Sequence, residues 1–247
     1  MVFDPKSMSG AGMDTLQDVQ RMPLLKIIQA NSPEVKKSHP QYATKHVEGA
    51  EEGMIILSSS GDLFKTAEII PLAQKTLYAE WRPKGDGGGF IGHHDLTIVS
   101  DPNYKKGSAR SDYDEFLGGN ELVFTMYFFL LVEISGKWEK AVLALKKTEL
   151  KHGRALQDMI KKFRYPDTKE FKDISPSMFS RSFQLSANPE SNDAGDWYNW
   201  HVQVGRTFAM KGDDLGILEA AFHAQSDAME TLPSAPVVKA LSEPEPF

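Results

Sequence analysis

Cations and aromatic rings recur together along this chain, and the mixture implies a chemistry. Trp81 stands next to Arg82, Tyr127 and Phe129 alternate in an apolar run, and Lys137, Trp138 and Lys140 follow. Lys146, Lys147, Lys151 and Arg154 cluster, Phe179, Arg181 and Phe183 alternate, and Trp197, Tyr198 and Trp200 crowd a late segment. Cations track phosphates while rings stack on unpaired bases, so the pattern points to single-stranded nucleic acid. Trp81, Tyr127, Phe129, Phe183 and Trp197 are the expected stackers. Arg82, Lys146, Lys147, Lys151, Arg154 and Arg181 are the expected phosphate contacts. Arg181 is the better bet within its triplet, because an unpaired guanidinium buried between phenylalanines is costly.

The competing reading is that alternating aromatics are core. On that reading Phe128, Leu130 and Val132 point inward, as do Tyr198, Trp200, Val202 and Val204, leaving Trp197, Asn199, His201 and Gln203 more exposed. The lysines near residue 150 then form a solvated helix face.

Other motifs carry less. The glycines of "KGDGGGFIGHHD" (84–95) could approach a phosphate, but no Gly-Lys-Ser/Thr follows and no helix opens there. A hairpin tip or loop is the expected role. His93, His94 and Asp95 form a poor metal site, because adjacent strand residues face opposite ways. The acids of "DYDE" (112–115) lack an apolar setting that would tune them for acid–base work. No G-x-S-x-G elbow holds a serine. The expectation is a protein without catalytic residues, cofactor or metal.

Composition bounds the rest. With 247 residues, 40% of them hydrophobic, the chain can build a sizeable core. The absence of cysteine excludes disulfides and thiolate metal sites and fits a reducing compartment. No cationic-then-apolar leader opens the chain, and the apolar run from Leu122 to Val132 is too short to span a membrane. A cytoplasmic location is therefore expected. The net charge of −6 hides a split: residues 137–172 hold eleven Lys/Arg against five Asp/Glu, whereas 213–247 hold seven acids against Lys239.

The positioning elements follow from period and punctuation. Strands are expected over 23–30, 53–59, 75–83 and 120–134, the last apolar on both parities and so covered on both faces. Residues 61–62 turn the chain into "FKTAEIIPL", residues 100–120 read as a loop or excursion, and residues 136–137 turn it into "WEKAVLALKK". Thr148 caps a helix to about Phe163, two strands cover "MFSRSFQLSA" and "GDWYNWHVQVGRTFAM", and a helix begins at Asp213. About eight strands without βαβ alternation predict a mainly β fold with α additions, an elaborated OB-like Greek-key barrel. Residues 1–21 form an N-terminal arm, 22–230 the domain and 231–247 an acidic tail.

The chain ends in "LSEPEPF". Glu243, Glu245, Pro246 and Phe247 resemble the acidic Pro-Phe tip of bacterial single-stranded DNA-binding proteins. With the "PLLKIIQANSPEV" opening, the "ELVFTMYFFLLVE" strand and the "GDWYNWHVQV" strand, the body resembles phage-encoded single-stranded DNA-binding proteins. The resemblance implies sequence-independent binding of single-stranded DNA and recruitment of replication or recombination proteins by the tip. Self-association is compatible with it, and the acidic tail would compete with DNA for the basic body. The alternative is a phage virion or assembly protein whose termini are arms.

Overall fold

The structure, a computed structural model, describes residues 23–108, 111–165, 176–193, 195–209 and 211–230. The expected arm and acidic tail, with Glu243, Glu245, Pro246 and Phe247, lie outside the described residues. The elements are β1 (Leu24–Ile27), α1 (Tyr42–Lys45), β2 (Ile55–Leu57), β3 (Leu63–Phe64), β4 (Thr66–Trp81), β5 (Phe90–His94), β6 (Asp114–Phe116), β7 (Asn120–Ile134), β8 (Lys137–Lys146), α2 (Leu150–Lys162), β9 (Arg181–Asn192), β10 (Gly195–Thr207) and α3 (Asp213–Glu230).

All ten strands join one strongly curled half-barrel sheet, in the order β10-β9-β4-β7-β8-β1-β2-β3, with β5 on β4 and β6 on β7. The mainly β, OB-like class expected from the sequence is the class observed. Within the sheet, β9-β4-β7-β8 run antiparallel in the order fourth, first, second, third, which is the Greek-key arrangement. The return from β8 to β9 runs through α2. Only the pairing of β1 with β8 is parallel among the strand pairs described.

Local chemistry explains the long central pair. Ser135 and Gly136 both take positive φ, 51° and 83°, in the two-residue turn that joins β7 to β8. The two strands expected over "FKTAEIIPL" and 75–83 are instead one sixteen-residue strand, β4, whose register on β7 slips between Pro71 and Ala73. On its other edge β4 pairs with β9 over Thr66–Ile69 and with β5 over Tyr78–Trp81. From 70 to 77 that edge has no strand partner among the described residues. Pro71 falls in this window, where a missing N–H breaks no ladder bond.

Both faces of β7 are covered, as its pattern requires. Inside the curl, Met126, Phe128, Leu130 and Val132 pack with Leu25, Ile55, Ile69, Leu143, Phe183, Leu185 and Trp200, and α2 adds Leu156. On the outer face Phe129 and Leu131 pack with Ile70, Leu72, Val142 and Phe208 under Leu218, Ala221 and Ala224 of α3. Each large side chain buried this way contributes roughly 1.5–3 kcal/mol. Thr148 does not cap α2: it lies in a single 3-10 turn (Lys147–Glu149), and Glu149 precedes the helix without a side-chain cap bond.

Among the described residues, no ladder joins β10 to β1 where the curl closes. Gln29, just past β1, donates from Nε2 to the Tyr198 carbonyl of β10 at 2.8 Å and accepts the Tyr198 N–H at 2.9 Å. One amide side chain thus imitates a strand residue. Gly53 lets the seam shut: its φ is +80°, and an added Cβ would meet the Tyr198 ring at 2.6 Å.

Candidate nucleic-acid interface

The apolar cluster beneath α3 ends at Tyr127. Beyond it, strand register puts a different set of side chains on the same outer face. Lys75 lies opposite Tyr127 and Trp81 opposite Glu121; His93 lies opposite Ala79, Phe90 opposite Trp81 and Lys146 opposite Thr125. The rings form a chain: Trp81 meets Phe90 at 5.3 Å, Phe90 meets His93 at 4.8 Å, and His93 meets Tyr127 at 5.1 Å. Lys146 sets its Nζ over the Trp81 ring, 5.5 Å from the centroid. Phe90 is 46% exposed, and Arg82 and Lys84 stand exposed beside it.

Strand β5, which positions Phe90 and His93, sits in the segment expected as a hairpin tip or loop. The tip is residues 82–89, and the remainder pairs with β4. The two histidines do face opposite ways. His93 Nε2 lies 2.9 Å from the Tyr127 hydroxyl, while His94 Nε2 lies 2.6 Å from Glu80, whose other oxygen accepts a bond from Asn120 at 2.6 Å. Among the described residues, no cluster of three or more histidine or acidic side chains could hold a metal ion.

Burial, then the charges of Lys75 and His94, hold the His93 imidazole below the ordinary histidine range. The unfolded chain therefore takes up a proton at this position before the folded one does. Stability is expected to fall as pH drops through the ordinary histidine range, from about pH 7.5 to about pH 5.5. His152 has the same sign. Urea unfolding at both pH values checks it: His93→Gln should lose less midpoint over this interval than the wild type.

The expected contact residues are distributed unevenly. Trp81, Tyr127 and Lys146 come together on the outer face, while Arg82 is exposed one residue further on, at the opposite strand parity, with its N–H on the Gly89 carbonyl. Lys147 and Trp197 line a separate cleft of about 340 Å³ between the chain after β1, the β8–α2 junction and β10, and Lys146 borders this cleft too. Lys147 pairs with Asp112 at 3.3 Å, Lys151 pairs with Glu190 at 2.6 Å, and Arg154 stands exposed on α2. Arg181 is remote, because the nearby Phe183 pairs with Ile69, twelve residues before Trp81 along β4. Its guanidinium stacks on Phe163 at 4.5 Å, and burial pulls it below the usual arginine range.

Two expected stackers are corrected outright. Phe129 is 2% exposed beneath α3 and Phe183 is fully buried inside the curl, so neither ring has a face to offer a base. On β10 the parity is also not the expected one throughout. Trp200 is buried, but Val204 is exposed, and Asn199 is buried where it donates to Glu190 at 3.0 Å. Phe90 and Lys75 are not among the residues expected from the sequence, and His93 is weighed there only as a metal ligand. Their signal was present in Phe90 and His93 flanking a short apolar step after the glycines, a pattern easily absorbed into the loop.

A β-rich half-barrel with a cationic and aromatic outer face is thus the class of protein that fold and surface define. The chain belongs to the Pam3 phage gp34-like protein family, whose model matches residues 2–232, and it is a phage protein. No curated protein and no solved structure matches it. Among the described residues no helix is long and apolar enough to cross a membrane.

Proposed function

We propose that this phage protein binds single-stranded DNA without sequence preference, on the outer face of the half-barrel. One observation carries the reading: Lys146 over Trp81, with exposed Phe90 beside them, on a stretch of sheet that the α3 cluster leaves open. An unpaired base has two faces and a phosphate on each side. An open ring next to a cation matches one such unit, whereas duplex DNA keeps its bases stacked on each other. Lys75 extends the cationic margin, and Arg82 and Lys84 are exposed in the adjoining tip. The protein is read as a binder, with no chemical step. Recruitment of replication or recombination proteins by Glu243, Glu245, Pro246 and Phe247 rests on resemblance alone.

Binding of a labelled oligo-dT and of a duplex at two salt concentrations tests this. The expected result is preference for the single strand and a steep loss of affinity with salt. Equal affinity for both forms, or no binding at low salt, overturns it.

A second reading, a virion or assembly protein, draws on exposed apolar side chains in the excursion between β5 and β7. Leu96, Val99 and Leu117 are 45%, 47% and 55% exposed, as expected of a protein contact. Absence of oligo-dT binding leaves this reading standing.

A further inference from the structure

The cleft between β1, β8 and β10 has features that the outer face does not explain. Its volume of about 340 Å³ reaches the range of small-ligand sites. Trp197 lines it, and the indole N–H is buried without a hydrogen-bond partner among the described residues. A buried donor left unpaired costs about 1–3 kcal/mol, so such a group calls for an explanation. Lys147, on the opposite lip, holds a left-handed backbone with φ of 53°, which non-glycine residues seldom adopt. Observed strain of this kind concentrates at ligand clamps.

The lining also selects among ligands. An aromatic ring, two lysines, Asn31, Asp196 and Glu149 suit a flat, polar, partly anionic group better than an apolar one. A free phosphate alone would meet the carboxylates of Asp196 and Glu149. A base offers N–H groups to such acceptors and leaves its phosphate to the lysines. Burial raises the Glu149 carboxyl above the usual carboxylate range. Lys146 joins the two places, since it borders the cleft and covers Trp81. A strand leaving Trp81 past Lys146 arrives at Lys147 and Trp197. The Lys147–Asp112 pair in its way is solvent-accessible, and exchanging such a pair for a phosphate costs little.

We infer that the cleft takes in one unpaired base of the strand bound on the outer face, with Trp197 against the base and Lys146 and Lys147 on the flanking phosphates. This rests on the single-strand reading above. The test uses the full chain and an oligo-dT carrying one 5-iodo-deoxyuridine, photo-cross-linked and mapped by mass spectrometry. A cross-link at Trp197 is expected, together with one at the Trp81 platform. Lys147→Asn, which keeps a residue tolerant of left-handed backbone, should weaken binding and reduce the salt slope by about one. An oligonucleotide that binds but cross-links only near Trp81, or a Lys147→Asn variant with unchanged affinity and slope, overturns the inference and leaves the outer-face reading intact. An oligonucleotide that does not bind removes both.

Discussion

Replacing Trp81 with alanine is expected to weaken oligo-dT binding by roughly 5- to 150-fold, the equivalent of about 1–3 kcal/mol per stacked base. The size follows from position. Trp81 ends β4, is only partly buried and belongs to neither apolar cluster. Among the described residues its ring meets Phe90 edge-on and carries Lys146 over it, and it stays partly exposed. Loss of the Phe90 contact costs stability only about 0.5–1.5 kcal/mol. The measurement is fluorescence anisotropy with labelled oligo-dT, with thermal unfolding in parallel. Unchanged affinity in a folded Trp81→Ala variant would remove the main support for the proposed platform.

The second large effect falls on stability. Phe183→Ala should cost roughly 3–5 kcal/mol, as phenylalanine deletions in packed interiors do. Phe183 is fully buried and packs with Phe128, Ile69 and Trp200 inside the curl, where β9 joins β4 opposite Ile69. Removing the ring leaves a cavity where the return strand of the Greek key docks. For a domain of this size the loss corresponds to a fall in Tm of roughly 6–20 °C. Whatever fraction stays folded should bind oligo-dT like the wild type. Paired with Trp81→Ala, this separates the two kinds of aromatic: one variant loses binding and keeps its fold, the other the reverse. A stable Phe183→Ala protein with weakened binding would restore the expectation that the corrected burial overturned.

That reversal shows where local sequence stops being informative. The apolar run of β7 identifies a strand buried on both faces, because Phe128 and Phe129 cannot both point to water. The β7–β8 turn, the amphipathic α2 and the C-terminal helix are likewise legible from period and punctuation. Which ring of an alternating set stays open is not, because a distant element decides it. Phe129 and Tyr127 share a face, yet α3, some ninety residues later in the chain, covers the first and stops at the second. Asn199 is buried for a similar reason, since Glu190 across the β9–β10 hairpin supplies its partner, while Lys151 and Asn199 hold that carboxyl below the usual carboxylate range. The single strand β4 was hidden by Pro71, which ordinarily argues against a central strand. The proline is allowed because β9 and β5 leave that stretch of edge without a strand partner, an arrangement set by pairings far apart in sequence.

The unpaired stretch of β4 has a consequence for concentrated protein. Exposed strand edges act as templates on which other extended chains add. Here the eight residues without a strand partner are shielded instead: Ile70, Pro71, Leu72, Ala73 and Leu77 are buried, and Gln157 of α2 donates to Gln74 at 2.8 Å. Pro71 also removes a donor, the irregularity before Ala73 spoils the regular spacing an incoming strand needs, and Lys75 places a charge within the same window. The sheet can therefore leave these residues out of its ladders and still resist growing from them.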